Sequence, residues 1–157
     1  MEGETRKIQV SLTEDRPVEE AARGSLQAYV KGLSVPGKVE LAGKGNKEVR
    51  EILSRDPNRI VARAVMSSPR LTEADIVFYA ASTQTNEEIL RMIGENREYV
   101  SNPRILLSLV SNPRTPAPVA MRYLVNLKVN ELAIIGRNRG ISALVRQEAK
   151  RLLLRKR

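Results

Sequence analysis

Three arginines follow a proline within nearly the same tetrad: Ser67-Ser68-Pro69-Arg70, Ser101-Asn102-Pro103-Arg104 and Ser111-Asn112-Pro113-Arg114. A guanidinium is a permanently charged, planar fork of donors, suited to gripping a phosphate or a carboxylate. The proline fixes the backbone just ahead of each fork, so equivalent turns should launch their arginines in similar directions. A second match, Arg91 to Arg97 against Ala133 to Arg139 at an offset of 42, adds Arg97, Arg137 and Arg139. These six arginines are the candidate binding residues for an anionic partner. If equivalent turns stack, Arg70 and Arg114 should share a ridge, with Arg104 as a third member, and Arg97 and Arg139 should form another. The alternative for each is structural, an arginine that satisfies the carbonyls at a helix end. Arg104 lies ten residues before Arg114, a spacing that also fits the two ends of one helix.

Other chemistries have few residues to work with. Cysteine and histidine are absent, which removes thiol nucleophiles, disulfides, thiolate and imidazole metal sites and His-based proton transfer. The carboxylate pairs Glu19/Glu20, Glu73/Asp75 and Glu87/Glu88 fall in predicted first turns, where they complement the helix dipole. Gly43-Lys44-Gly45-Asn46 lacks the spacing of a phosphate-cradling loop and reads as a turn. Asn96, Asn102, Asn112 and Asn138, with Gly94 and Gly136, are the residue types expected where short helices end or turns begin. The expectation is a non-enzyme with no catalytic residue, metal site or cofactor.

The elements that must hold these arginines are short helices. Asn46 can cap a helix carrying Val49, Ile52 and Leu53, which Pro57 closes. Ile60, Val61, Ala64 and Val65 form the next apolar face. Thr72 and Asn86 cap two further helices, with Ile76, Val77 and Ala80 inward on one and Ile89, Leu90 and Ile93 inward on the other. Ser142 caps the last, whose Val145, Ala149 and Leu152 point inward. None is long enough to be stable alone. Upstream, 1–14 reads as a flexible tail, with a strand-like alternation at Ile8, Val10 and Leu12. Residues 15–37 read as an N-terminal helix and linker, with Asp15 as cap, Pro17 and Glu19 in the first turn, and Gly32, Pro36 and Gly37 closing it. The repeat domain is expected over 38–157. Leu53, Ile93 and Ile135 are predicted to be buried at equivalent positions.

The matches recur at offsets of 40 to 44 residues, the period of paired helices in HEAT or armadillo arrays. On these segments residues 38–157 resemble a short array of HEAT-like helical repeats. The string Asn112-Pro113-Arg114-Thr115-Pro116 is similar to loops of bacterial leucine-rich-repeat-variant proteins, some of which carry a cysteine-bound cluster that this chain has no cysteine to hold. The block from Lys44 to Arg55 resembles uncharacterised bacterial repeat proteins. The resemblance implies an all-α fold, a short α-solenoid preceded by a tail and a helix.

Charge points to the kind of partner. The 157 residues carry 27 Lys/Arg against 18 Asp/Glu, a net charge of +9. Residues 99–157 hold 12 of the basic residues and only Glu131 and Glu148 as acids, so all the excess lies there. Such asymmetry attracts an acidic partner. No stretch approaches the roughly 20 apolar residues of a membrane span, and Met1 to Val10 has no apolar run of signal-peptide length, so a cytoplasmic location is expected. The functional expectation is a binding or scaffold module that docks an acidic partner protein through its basic C-terminal half. The alternative is a nucleic-acid-binding protein that contacts the phosphates of duplex DNA or structured RNA. Tryptophan is absent and Phe78 is the one phenylalanine, which leaves little for stacking on single strands.

Overall fold

The computed structural model describes residues 12–14 and 20–156. Among them are eleven α-helices, a single 3-10 turn and no strand. In chain order the helices are α1 Glu20–Lys31, α2 Val35–Lys44, α3 Lys47–Ser54, α4 Arg59–Met66, α5 Glu73–Ala81, α6 Glu87–Glu95, α7 Arg97–Val100, α8 Pro103–Ser111, α9 Ala117–Tyr123, α10 Val129–Arg137 and α11 Ala143–Lys156. The fold is all-α and helical-repeat-like. The chain divides into two compact units, Met1–Asp75 and Ile76–Arg157, each described separately below.

In the first unit α2 packs on α3 and α4, and α3 on α1. The apolar stripes foreseen for α3 and α4 supply the core: Val49, Ile52, Leu53, Val61, Ala62 and Val65 are buried. The Asn46 carboxamide accepts the Val49 N–H at 3.0 Å and caps α3 as its spacing predicts. Helix α2 departs from the expectation of a linker. Ser34 accepts the Gly37 N–H at 3.2 Å, and Pro36 sits in the first turn, where its missing N–H costs nothing. The boundary expected between 37 and 38 therefore falls inside a helix. Gly43-Lys44-Gly45 is the end of that helix. A Cβ on Gly45 would lie 2.5 Å from Val49 Cγ1 and 2.7 Å from the Leu41 carbonyl oxygen, so only glycine fits there.

Of the tail expected over 1–14, Leu12–Glu14 are described, and they are docked. Leu12 is buried. Its carbonyl accepts the Asn46 N–H at 2.6 Å, and the Glu14 carbonyl accepts Asn46 Nδ2 at 2.8 Å. Asn46 thus caps a helix with one atom and holds this segment with others. Ile8 and Val10, and the capping residues Asp15, Pro17 and Glu19, lie outside the described residues.

The second unit has an aliphatic core in which Val110, Leu124, Leu132, Ile135, Val145 and Ala149 are buried together. Helix α10 packs chiefly on α11, and α9 on α8 and α11. Leu53, Ile93 and Ile135 are all buried, at 1%, 0% and 0% exposure. Each accepts through its carbonyl the N–H three residues on, from Asp56, Asn96 and Asn138 respectively. The predicted equivalence of these three helix ends holds.

The glycines, however, do another job. No described residue has positive φ. Gly94 and Gly136 are buried helical residues, and a Cβ on Gly94 would lie 2.5 Å from Val119 Cγ1. Glycine is there to let α9 approach, not to turn the chain.

Candidate anion-binding surface

The identical tetrads occupy opposite ends of one helix. Asn102 is the N-cap of α8 and accepts the Arg104 N–H at 3.0 Å, with Pro103 opening the helix. Asn112 is its C-cap and accepts the Arg114 N–H at 2.9 Å. Ten residues at 1.5 Å each separate the two arginines by roughly 15 Å along the axis. Sequence identity therefore marks a shared local turn, an Asx turn with proline inside it, and not a shared place in a repeat.

The turn that does recur in space is less visible in the letters. After α5, Ser82 Oγ accepts the Gln84 N–H at 3.3 Å, and buried Thr85 donates its hydroxyl to the Tyr79 carbonyl at 2.7 Å. After α8, Asn112 takes the part of Ser82, and buried Thr115 donates to the Leu109 carbonyl at 2.6 Å. In both, the next helix opens five residues after the turn begins, at Glu87 and at Ala117. These segments lie 30 residues apart, and they touch. Asn112 Nδ2 donates to the Ala80 and Ser82 carbonyls, both at 2.8 Å. Arg114 and Gln84, both exposed, occupy the same position in these adjoining turns, while Arg104 stands at the far end of α8.

Arg70 is corrected as well. Its backbone follows the Asn112 pattern, with Ser68 Oγ accepting the Arg70 N–H at 3.3 Å. Its side chain folds back into the first unit and donates from Nη1 to the Thr13 carbonyl at 2.7 Å and the Lys44 carbonyl at 2.9 Å. Lys44 ends α2, so Arg70 caps a helix carbonyl. The ridge expected for Arg70, Arg104 and Arg114 does not form. Nor do Arg97 and Arg139 match. Asn96 caps a new helix that begins at Arg97, whereas Asn138 accepts the Gly140 N–H at 2.9 Å and closes a turn around Arg139. Both arginines are exposed. Arg137 is also exposed, and its Nε donates to the Ala133 carbonyl within α10 at 3.2 Å.

The electrostatics of the basic half are set by what its two carboxylates are doing. Glu131 Oε2 accepts the Lys128 N–H at 2.8 Å and caps α10. Glu148 is held by Arg151, whose Nε donates to it at 2.8 Å, and the hydrogen bond from Arg151 keeps the Glu148 carboxyl below its ordinary value. Lys156 Nζ donates to the Val125 and Leu127 carbonyls at 3.2 and 2.8 Å. Arg104, Arg114, Arg122, Arg139, Lys150 and Arg155 are exposed. They form a field of positive charge with no acidic neighbour left to neutralise it. Arg122, Lys150 and Arg155 escape a motif search because no tetrad marks them; their helical positions opposite the buried stripes were the available signal.

Two further features sit in the first unit. Arg50 and Asp75, 2% and 1% exposed, form a buried ion pair. Arg50 Nε and Nη2 donate to Asp75 Oδ2 at 3.1 and 2.9 Å, and Nη1 donates to the Gly45 carbonyl at 3.0 Å. Asp75 Oδ2 also accepts the Thr72 N–H at 2.9 Å, completing a capping box at α5. An open cavity of about 340 Å³ is lined by Leu12, Tyr29, Leu33, Leu41 and the ion-paired Glu40 and Lys44. Among the described residues no three carboxylates gather as metal ligands, and no helix is long and apolar enough to cross a membrane.

Nothing matches. Comparison of the chain with protein-family models, curated proteins and solved structures finds no similar family, protein or fold. The functional reading therefore rests on the chain's own geometry and charge.

Proposed function

We propose that this protein is a non-enzymatic binding module of HEAT-like helical repeats, acting in the cytoplasm, that docks an acidic partner protein through its basic C-terminal half. The observation that carries this reading is the fate of Glu131 and Glu148. Both acids of residues 99–157 are tied to internal contacts, while cations at Arg104, Arg114 and Arg139 are exposed. An uncompensated field of this kind steers an oppositely charged partner and sets its register. Arginine dominates over lysine in this half, which favours planar carboxylate recognition over a diffuse cation cloud.

Nucleic acid is the second reading, and the aromatic residues weigh against its single-stranded form. Tyr99 and Tyr123 are the aromatics of this half. Both are half-buried, and the Tyr123 hydroxyl donates to the Gly94 carbonyl, so neither offers a stacking platform.

Capture of partners from native cytosol by the full chain, with and without nuclease, separates the readings. Direct binding to polyglutamate, a short DNA duplex and an RNA hairpin across a salt series supports the comparison. The expected result is a protein captured equally with nuclease, and lost when Arg104, Arg114 and Arg139 are changed together to Glu. Capture abolished by nuclease, with a log–log salt slope of roughly −0.9 per phosphate contact on duplex DNA, would establish the alternative.

A further inference from the structure

The last helix carries two stripes. Val145, Ala149 and Leu152 face the core and are buried. On the opposite side Leu144, Gln147, Arg151 and Leu154 recur at spacings of three, four and three residues, and all are exposed. Helices normally solvate the side away from their core with polar residues. This one keeps leucines near both ends of its outward stripe, at 57% and 74% exposure.

Leucines at this spacing are the footprint of a facing helix. We infer that the outward stripe of Ala143–Lys156 receives an amphipathic helix of an acidic partner protein, with aliphatic residues on a three-and-four spacing and Asp or Glu beside them. The inference rests on the proposed function and gives its partner a shape.

Charge selects this occupant over the others. Lys150 and Arg155 flank the stripe and are exposed, and Glu148, the helix's one acid, is held by Arg151. A second copy of this chain would bring the same excess of positive charge. It would set Arg151 against Arg151 in a parallel pairing, or against Gln147 in an antiparallel one. A glutamate-bearing helix places opposite charge at those positions, and like charge there disfavours wrong partners. An anionic membrane meets the charge but not the apolar pattern. Interfacial binding grows with the apolar area inserted, and the continuous apolar side of this helix is already spent on the core.

The test is a displayed library of helical peptides in which aliphatic residues are fixed at the three-and-four spacing and the flanking positions sample Glu, Lys, Gln and Ser. The full-length chain is the bait. Enrichment of Glu over Lys is expected, in clones whose affinity falls about tenfold or more on L144S/L154S, the scale of losing buried leucine contacts. R155E should shift the selected flank away from Glu. The leucines are exposed, so the far-UV spectrum and melting of L144S/L154S should match the parent.

Four results would overturn the inference: no enrichment over a library with scrambled spacing, clones indifferent to L144S/L154S, binding to phosphatidylglycerol vesicles that L144S/L154S abolishes while no peptide binds, or a dimer in sedimentation velocity that the same variant dissociates. Polyglutamate binding that R104E/R114E/R139E abolishes, alongside any of these four, would leave the proposed function standing and the helix site refuted.

Discussion

Replacing Asp75 by Ala should destabilise the unit formed by residues 1–75 by about 3–5 kcal/mol, the range for stripping one partner from a buried ion pair. The structure shows where the loss comes from. Asp75 Oδ2 receives Arg50 Nε at 3.1 Å, Arg50 Nη2 at 2.9 Å and the Thr72 N–H at 2.9 Å. Without it, a guanidinium whose side chain is 3% exposed keeps only the Gly45 carbonyl, and a helix N-terminal donor is orphaned. In a domain of this size 1 kcal/mol corresponds to roughly 4–8 °C, so the melting transition of that unit should fall by more than about 10 °C. The other oxygen, Oδ1, is buried without a hydrogen-bond partner among the described residues. The pair therefore already carries an uncompensated desolvation cost, and exchanging both residues together should relieve it. R50M should cost as much as D75A, whereas R50M/D75L should lie within about 1 kcal/mol of the parent, as apolar replacements of buried pairs often do. Urea unfolding of the full chain, followed by far-UV circular dichroism across the four corners of the cycle, measures this. A double variant that loses the sum of the single losses would show that the two side chains contribute packing independently, and the argument from charge would be wrong.

Glycine substitutions should split by sign. G94A should cost about 1–3 kcal/mol, because its Cβ would lie 2.5 Å from Val119 Cγ1 in a filled core. G24A, in α1 with nothing within 4 Å of the new methyl, should stabilise by about 0.5–1 kcal/mol. Thermal melts of both variants check the pair. T115V should cost about 1 kcal/mol through the lost hydroxyl bond to Leu109, and T115S should recover it. Glu51 gives a pH signature. Burial first, and then Glu48, raise its carboxyl above the ordinary 4.5, so the folded state holds its proton more tightly and stability is lost as pH rises through that raised value. E51Q should therefore melt higher than the parent at pH 7. The difference should vanish below about pH 4, where the glutamate is protonated in both states. A difference that persists at low pH would assign the effect to packing.

Helix positions and caps were largely legible because they are local. Asn46, Thr72, Asn86 and Ser142 each accept a nearby N–H from the helix they open, and the buried stripes follow from spacing of three and four. Register was not legible, because it depends on side chains that act across the chain. The tetrad match aligned Asn102 with Asn112, although one begins a helix and the other ends it. The true spatial partner of the turn at 112–116 is 82–86, and those segments share only Thr85 and Thr115. Helix α2 was missed because Pro36 and Gly37 read as breakers, while Ser34 makes them a first turn. The charge excess in 99–157 was plain from composition. That its two acids are occupied needed coordinates, as did the inward turn of Arg70 and the pairing of Arg50 with a residue 25 positions away.

Asn112 gives the order of synthesis a structural meaning. Its carboxamide supplies the hydrogens that satisfy carbonyls at the end of α5, yet it is translated about 30 residues after them. A ribosome releases these segments in sequence, so the end of α5 must wait, solvated or frayed, until α8 has emerged and turned. The stretch between Ala80 and Asn112 then locks in a single event rather than helix by helix. A nascent chain arrested before residue 112 has cleared the exit tunnel should remain open to protease around Ser82, and one arrested well beyond it should not.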